Sequence, residues 1–391
     1  MTANICTTFR QLSKFKLAAI ATAMALTLSA CGGSSSSGSN STPSATTPTV
    51  SVDYQKVIDE TVTETIPGII LLVESPEQRF LGSAGVENIA SQNPMQVYHT
   101  MPTASAGKAM IGLLVAMLAD EKLLNLDDTL DTWLSSDVLS QIPNSNDMTL
   151  RQLLNHTSGI YNYTENDDYF DFLIAEPSKA KTDADFLIFA LNQPANFKPG
   201  EGREYSNTGY LLAGLIMDQI LGEHHSVALR ERILNPLGMN ATYYIGVEKD
   251  RGDFISGYHQ FDDHDTVYQT KSYLENVSEA SSPVVSNVED MALFLKSVVT
   301  EQSFISDTIR SEFYGSLPND SNGIYGLGIN VDPVGSNTAY YHSGKDYGYH
   351  TQNIYFKEKD LSITAFMNCS TAPICEETMD GLINKVIANE L

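Results

Sequence analysis

The chain has 391 residues, 42% of them hydrophobic, and a formal net charge of −25 at pH 7. This length and composition allow a large buried core, exclude a disordered chain and favour more than one domain or subdomain. The negative charge argues against nucleic acids and anionic lipid surfaces as partners, and we interpret it as a solvated acidic surface.

The first thirty residues predict an export signal. Arg10, Lys14 and Lys16 precede or border the apolar run 17–28, which has the length of a secretory h-region. This run is too short to span a membrane comfortably as a helix. We therefore expect the protein to be exported.

The next residues, LSAC, resemble the bacterial lipoprotein processing box, in which cleavage leaves Cys31 as a lipid-modified amino terminus. A plain cleavage site after small residues is the alternative. We predict a lipoprotein signal peptide over residues 1–30 and a flexible Gly/Ser/Thr tether over residues 31–50. The lipid on Cys31 would anchor the protein to the bacterial cell membrane, facing the periplasm or the exterior.

Two of the four cysteines lie outside this leader and lipid site. Cys369 and Cys375 flank a proline, and in an oxidising compartment this arrangement favours a small structural disulfide. The sequence has no His-Glu-x-x-His, and its histidines lack ligand spacing apart from the adjacent pair His224 and His225. We expect neither a metal nor a cofactor.

Strands are predicted at both ends of the chain, around a mostly helical middle. Residues 68–74 and 79–86 form a predicted hairpin, and residues 339–344, 351–356 and 361–367 form three further strands before a helix from about Pro373. The predicted helical segments are 108–123, 149–157, 183–193, 208–221, 227–239 and 288–300.

This order predicts an α+β fold, with one antiparallel sheet built from both chain ends, flanking helices and a mostly helical inserted domain. We place the sheet domain at residues 51–102 together with 323–391, and the helical domain at residues 103–322.

Ser105 and Lys108 stand at the start of a helix that is apolar nearly all round from Ala109 to Leu118. Positions i and i+3 share one helix face, so the two side chains meet. Burial lowers the pKa of a lysine, which can then accept the proton of a serine nucleophile. The same Ser-x-x-Lys spacing also occurs at Ser13 and Ser178, so the motif alone decides nothing.

Two further motifs occur once each and follow in order. Tyr205 and Asn207 form the single Tyr-x-Asn, on a Gly-rich loop that enters a helix. His342 and Gly344 form the single His-x-Gly, on a predicted strand near the carboxyl end. Three elements in this order are far more specific than any one of them.

With these motifs the sequence resembles the serine β-lactamase and penicillin-binding superfamily, in the branch of class C-like β-lactamases, serine DD-carboxypeptidases and related esterases. The resemblance runs from about residue 51 to the carboxyl terminus and includes LLNLDDTLDTWL, MTLRQLLNHTSGIYNYT, LNPLGMNATYY, VSNVEDMALFLKSV and YGLGINV, in family order.

The resemblance implies a role for each motif residue. Ser105 would be the acyl-forming nucleophile and Lys108 the proton acceptor in acylation. Tyr205 would relay a proton to the leaving group and then help to activate water, and Asn207 would hydrogen-bond a substrate amide or carbonyl. His342 occupies the place where many relatives have lysine, and would act electrostatically and by hydrogen bonding toward Tyr205.

The strand that carries His342 would edge the substrate through Ser343, Gly344 and Lys345. The backbone N–H groups of Ser105 and Lys345 would form the oxyanion hole, in which one donor is typically worth about 10²–10³ in rate.

Four other conspicuous residues have interpretations outside the proposed catalytic steps. We interpret His156 as a buttress of the site and Trp133 as part of the core, whereas Tyr161 and Tyr163 are candidates to line the pocket. The chain lacks a Gly-x-Ser-x-Gly elbow, which argues against an α/β-hydrolase.

The substrate is less well defined than the reaction. His-Ser-Gly in place of Lys-Thr-Gly makes a dedicated β-lactamase less favoured and resembles DD-carboxypeptidases, so we predict a D-alanyl-D-alanine carboxypeptidase-like serine hydrolase. An arginine that such peptidases can use to bind the terminal carboxylate is missing after YGLG, and Lys345 is our candidate to supply that charge.

Three alternatives remain: an esterase or amidase, a β-lactamase, and a silent penicillin-binding lipoprotein, although the last would be expected to have lost Ser105, Lys108 or Tyr205. The expected partner is a small-molecule or peptide substrate, either a peptide of peptidoglycan type or an ester. We expect the protein to be a monomer.

Overall fold

The computed structural model describes residues 52–261, 266–314 and 323–391, and Tyr54–Leu391 form one compact unit. The predicted signal peptide, Cys31 and the tether lie outside the described residues, as do the predicted boundary residues 51 and 322. These features, and the division into two domains, stay predictions.

The strands in chain order are β1 Gly68–Glu74, β2 Arg79–Gly85, β3 Met101–Pro102, β4 Lys181–Thr182, β5 Tyr243–Tyr244, β6 Tyr258–Gln260, β7 Val267–Gln269, β8 Val277–Ser278, β9 Val284–Ser286, β10 Ile324–Tyr325, β11 Asn330–Val334, β12 Asn337–Asp346, β13 Tyr349–Phe356 and β14 Leu361–Met367.

The helices are α1 Tyr54–Thr61, α2 Lys108–Asp120, α3 Ser136–Leu139, α4 Leu150–Leu154, α5 Asp168–Ile174, α6 Asp183–Leu187, α7 Thr208–Leu221, α8 Ser226–Leu229, α9 Asn235–Leu237, α10 Lys271–Leu274, α11 Val288–Thr300, α12 Asp307–Tyr314 and α13 Ile374–Glu390. Short 3₁₀ turns include Ala104–Gly107, and the π-helical turn Arg230–Leu234 joins α8 to α9.

The main sheet has the order β10-β11-β12-β13-β14-β1-β2 among the described residues, and every neighbouring pair is antiparallel. Its two halves meet where β1 pairs with β14, with Ile69 opposite Met367. The prediction of one sheet built from both chain ends is therefore confirmed.

Helices cover both faces of this sheet. Asn353 on β13 donates to the carbonyl of Met291 on α11, whereas His350 lies beside Glu376 on α13. The two β13 residues differ by three positions, and side chains alternate along a strand, so α11 and α13 lie on opposite faces. This explains why β1 and β14 are buried almost throughout, since each strand has a helical layer on either side.

The helical part agrees with the sequence in its long elements. Helices α7 and α11 have the predicted bounds, and α2 begins at the predicted residue and ends three residues early. The segment predicted over 227–239 is instead divided among α8, the π-helical turn and α9, where Pro236 and Gly238 interrupt regular α-helix.

A disulfide joins Cys369, which follows β14, to Cys375 in the first turn of α13, with the Cα atoms 6.2 Å apart. It ties the chain just after the end of β14 to the helix that covers this strand. Across the described ranges, no helix is both long enough and apolar enough to cross a membrane.

Candidate active site

The candidate nucleophile sits on a strained turn. Ser105 belongs to the 3₁₀ turn Ala104–Gly107, directly before α2. Ala104 has a φ of 50°, a left-handed conformation that a residue with a Cβ atom adopts only at a cost. Strand β12 abuts this turn, because a Cβ atom at Gly344 would lie 2.0 Å from the carbonyl oxygen of Thr103. Glycine is therefore required at the third position of His-Ser-Gly.

The side chains of Ser105 and Lys108 meet as the spacing predicts. Lys108 Nζ donates to Ser105 Oγ at 3.0 Å and also to the carbonyl oxygen of Ser281. Lys108 is fully buried, and this burial lowers its pKa to about 7, although the negative charges of Glu279 and Asp346 act in the opposite direction. A substantial fraction of the amine is thus neutral near pH 7 and able to accept a proton.

A buried carboxyl group stands behind Lys108. Glu279 is 5% exposed, and burial raises its pKa, while a hydrogen bond from the Tyr163 hydroxyl and the charge of Lys108 act to lower it. Tyr163 is 1% exposed, so it braces Glu279 and does not line an open pocket. Tyr161 is half-buried, and its carbonyl accepts from the Thr208 hydroxyl at 2.6 Å.

Tyr205 lies across from Lys108. The Lys108 Nζ atom is 5.3 Å from the centroid of the Tyr205 ring, and the His156 ring packs on Tyr205 with centroids 4.2 Å apart. The Tyr205 hydroxyl is buried and makes no ordinary hydrogen bond to the described residues. Burial raises its pKa, which the nearby Ser105 hydroxyl offsets only in part. Tyr205 is therefore a neutral phenol with a proton to give.

Asn207 ends the Tyr-Ser-Asn loop and caps α7. Its backbone N–H donates to Asn162 Oδ1 at 3.0 Å, which fixes the loop. Its side-chain amide is 3.5 Å from Thr164 Oγ1, a weak contact that a substrate carbonyl can replace.

Two histidines and a tyrosine form a buried chain of hydrogen bonds beside Tyr205. His156 Nε2 lies 3.1 Å from the Tyr325 hydroxyl, and that hydroxyl lies 2.9 Å from His342 Nε2. His156 Nδ1 accepts the Ser206 backbone N–H at 3.2 Å, and His342 Nδ1 lies 2.6 Å from the Ser343 carbonyl oxygen.

These partners determine the tautomers. Because His156 Nδ1 is an acceptor, its Nε2 carries the proton and donates to Tyr325, which in turn donates to His342 Nε2. His342 then carries its proton on Nδ1. Burial, followed by the charge of Lys108, lowers the pKa of His342 to about 3, and burial also keeps the pKa of His156 well below its usual value.

His342 thus differs from its predicted role. It is a neutral imidazole, whose ring centroid is 6.5 Å from that of Tyr205, and its Nε2 bonds Tyr325 instead of Tyr205. It supplies no positive charge of the kind that lysine supplies at this position. His156 lies where the sequence places it, as a buttress.

Lys345 has a partner that the sequence does not reveal. Its ammonium group forms an ion pair with Glu376 on α13, and both side chains are partly exposed. The charge proposed for binding a substrate carboxylate is therefore largely neutralised. Ser343 is half-buried and Gly344 is buried, both on the segment of β12 that runs past the nucleophile.

The adjacent histidines His224 and His225 are held by hydrogen bonds. Among the described residues, they form with Asp218 one group whose potential ligand atoms lie within 4.8 Å of one another. Both ring nitrogens of His225 already have partners, Asp218 at 2.7 Å and the Tyr244 hydroxyl at 2.7 Å. This pairing gives His225 a structural role.

Four residues of the site escaped the sequence analysis: Glu279, Tyr325, Asp346 and Glu376. Tyr325 is the first residue of the YGLG segment, and its place in that segment was the sequence feature that could have marked it as a site residue. The other three are acidic residues among 48, and nothing in their local pattern sets them apart.

Comparisons with known proteins identify what this chain is similar to. A family model described as Beta-lactamase matches residues 55–384. Penicillin-binding protein 4* of Bacillus subtilis (strain 168) is 27% identical over 217 residues, which cover 54% of this chain and 46% of that protein. The chain therefore spans less than half the length of this curated relative.

Solved structures share the fold. The D-amino acid amidase from Ochrobactrum anthropi SV3 has a TM-score of 0.71 at 24% identity, covering 86% of this chain and 98% of the amidase. The D-stereospecific amidohydrolase from Streptomyces sp. has a TM-score of 0.71 at 23% identity, covering 84% of this chain and 96% of that protein. The predicted α+β fold class is confirmed.

Proposed function

Because the chain belongs to the beta-lactamase family, we propose that it hydrolyses amide or ester bonds through an acyl-enzyme on Ser105. The observation that carries this proposal is the 3.0 Å hydrogen bond between Ser105 Oγ and a buried Lys108 whose pKa is lowered to about 7. A serine hydroxyl is a weak nucleophile, and it is activated by a neighbouring base whose pKa lies near the working pH.

In acylation, Ser105 Oγ forms a bond to the substrate carbonyl carbon and gives its proton to Lys108 Nζ. The C–N or C–O bond then breaks while Tyr205 gives its phenolic proton to the leaving amine or alcohol, and the proton on Lys108 restores the phenol. The backbone N–H groups of Ser105 and Lys345 would hold the developing oxyanion. In deacylation, water forms a bond to the acyl carbon and gives a proton to Lys108. The bond between the acyl carbon and Ser105 Oγ then breaks, and Lys108 returns that proton to Ser105 Oγ.

The substrate we favour has no free carboxylate next to the scissile bond. The Lys345 ammonium is paired with Glu376, and His342 is neutral, so neither offers a full positive charge there. A substrate whose leaving group is uncharged, such as an amide or ester of a D-amino acid, fits these charges. The amidases of similar fold, named for D-amino acid amides and D-stereospecific hydrolysis, support this choice.

A D-alanyl-D-alanine carboxypeptidase-like activity is the second candidate. The similarity to Penicillin-binding protein 4* favours it. It requires a cation for the terminal carboxylate, and Lys345 would have to exchange Glu376 for the substrate.

The test is labelling of the purified protein with a fluorescent fluorophosphonate and, separately, with a fluorescent penicillin. We expect Ser105→Ala to abolish both adducts and Ser178→Ala, the serine of the chance Ser-x-x-Lys motif, to leave them unchanged. Hydrolysis of D-phenylalaninamide but not of a D-alanyl-D-alanine peptide would support the amidase, and the reverse would support the carboxypeptidase. A folded protein that no probe labels at Ser105 would contradict both and indicate a silent penicillin-binding protein.

We also propose that the protein is an exported lipoprotein anchored through Cys31. The LSAC box and the apolar run before it support this proposal. Metabolic labelling with palmitate should mark the wild type and spare Cys31→Ala, whereas Cys6→Ala should remain labelled. Equal labelling of wild type and Cys31→Ala would contradict it.

A further inference from the structure

Strand β12 has a leaving-group end and an acyl end. His342, near its middle, lies beside Tyr205, which protonates the leaving group in the proposed mechanism. Gly344 abuts the turn that carries Ser105. Residues beyond Gly344 therefore run along the part of the substrate that stays on Ser105, the acyl group.

At the acyl end of β12, Asp346 is the first residue after Gly344 whose side chain lies on the same face of the strand. Side chains alternate along a strand, so Gly344 and Asp346 point the same way, about 7 Å apart along the strand. That direction is toward the turn that carries the nucleophile, because a Cβ atom at Gly344 would meet Thr103, Ala104 and Ala106. Asp346 is half-buried, so this residue is not sealed in the core.

The Asp346 carboxylate accepts one ordinary and one long hydrogen bond. In the described part of the chain it accepts the backbone N–H of Tyr347 at 2.8 Å and a long hydrogen bond from Ser282 Oγ at 3.3 Å. The structure gives it no ion pair with a lysine, arginine or histidine of those residues. Burial raises the pKa of Asp346, and its two hydrogen bonds and the charge of Lys108 act to lower it. The Lys108 amine is already bonded to Ser105 and Ser281.

The charges around the acyl end are acidic on balance. Glu279 lies behind Lys108, and Lys345, which precedes Asp346, is neutralised by Glu376. Apolar rings lie beside the same end, since the Tyr347 ring packs on Phe170 with centroids 4.9 Å apart. A substrate with an ammonium group next to an apolar side chain matches these acidic charges and rings. A substrate carboxylate at this end would be repelled.

We propose that Asp346 binds a primary ammonium group on the acyl part of the substrate, so that the enzyme prefers substrates with a free amino group. This inference rests on the proposed acyl-enzyme function and adds the chemical class of the acyl donor. The natural donor is then the amino-terminal residue of an amide or short peptide, with an apolar side chain packing near Tyr347 and Phe170. A charge-assisted hydrogen bond of this kind is worth a preference of roughly 10- to 100-fold.

The experiment compares D-phenylalanyl p-nitroanilide with its N-acetyl derivative, in wild type and in Asp346→Asn. At about pH 7.5 an α-amino group is still protonated in large part, and a substantial fraction of Lys108 is neutral. We expect wild type to favour the free amine by at least tenfold in kcat/KM, chiefly through KM, and Asp346→Asn to bring the ratio near one. Asp167→Asn, which removes the same charge from an exposed position, should keep the wild-type ratio.

Binding is measured as well, so that slow turnover does not hide the result. Protection of Ser105 from a fluorescent fluorophosphonate by D-phenylalaninamide should be strong in wild type and lost in Asp346→Asn. Equal protection of the two proteins, or an equal preference ratio, would overturn the role of Asp346. A failure of the underlying function is distinguishable, because Ser105 would then not be labelled in the absence of any competitor.

Discussion

Two sets of polar side chains, one around Lys108 and one beside the Tyr205 ring, differ in how readily they exchange protons. The first, which we call the amine wall, consists of Lys108, Glu279 and Asp346. The second, the imidazole wall, consists of His156, Tyr325 and His342. In the amine wall burial moves the pKa of Lys108 down and that of Glu279 up, both toward neutrality. In the imidazole wall burial moves the histidine pKa values far below the working range.

Neighbouring charge explains the difference. Desolvation lowers the pKa of a lysine and of a histidine alike. For Lys108 two carboxylates oppose the effect of burial, whereas for His342 the nearest charge, Lys108 itself, adds to it. The amine wall can therefore exchange protons near pH 7, and the imidazole wall holds its protons in fixed positions.

Removal of the base in the amine wall should have the largest effect on the reaction of Ser105. Lys108→Met introduces an apolar side chain of similar length and removes the amine that accepts the proton. The rate of Ser105 labelling should therefore fall by about 10³-fold or more. The measurement is the second-order rate constant for the fluorophosphonate, beside thermal unfolding. Lys181→Met, in the chance motif that begins at Ser178, is the control and should label at the wild-type rate. A rate within tenfold of wild type for Lys108→Met would disprove its role as base.

Interrupting the imidazole wall should cost less. Tyr325→Phe deletes the hydroxyl that joins the two histidines, leaving a buried donor on His156 and a buried acceptor on His342 without partners. Because His156 packs on Tyr205, we expect kcat to fall roughly tenfold, with KM little changed and a lower Tm. Tyr340→Phe, a half-buried tyrosine of the same strand as His342, is the matched control.

The pH profile separates positioning from proton transfer in that variant. The imidazole wall contains no group that titrates near neutrality, so its interruption should leave the shape of the pH profile unchanged. Tyr325→Phe should therefore lower kcat by the same factor at every pH. Loss of an ionisation step in the variant would show instead that one of the histidines exchanges protons during turnover.

The sequence predicted the fold and the reacting groups better than the charges around them. The long elements were predictable because apolar periodicity and local turn residues define them, as in α7 and α11. Ser105 and Lys108 were predictable because a helix brings positions i and i+3 together. The pairing of Lys345 with Glu376 was not, since it joins a strand to a helix 31 residues away. The burial of Tyr163 depends likewise on its contact with Glu279, 116 residues distant.

A smaller effect, within the amine wall, tests how Glu279 influences the pKa of Lys108. The ionised Glu279 stabilises the protonated form of Lys108, so Glu279→Gln should lower the pKa of Lys108. The neutral amine is the active base, and it predominates above its pKa, so the acid limb of the labelling rate should move to lower pH. A shift of roughly one unit, or about tenfold more labelling below the limb and little change above it, is expected. Glu165→Gln, which removes an exposed charge, should not move the limb; a shift of Glu279→Gln to higher pH would contradict this assignment.

The smallest effect concerns the strand between the two walls. Glu376→Gln releases the ammonium of Lys345, which has a partly exposed side chain, so the cation becomes available to a substrate carboxylate. Exposed ion pairs contribute about 0–1 kcal/mol, so KM for a D-alanyl-D-alanine peptide should fall only about two- to fivefold, and less at high salt. KM for a neutral D-amino acid ester should stay the same, because such a substrate has no group for Lys345 to attract. If the peptide KM instead rises, Glu376 orients Lys345 toward the substrate, and the carboxypeptidase becomes the better assignment. If neither KM changes, Lys345 does not reach the bound substrate, and its backbone N–H is its only contribution to the site.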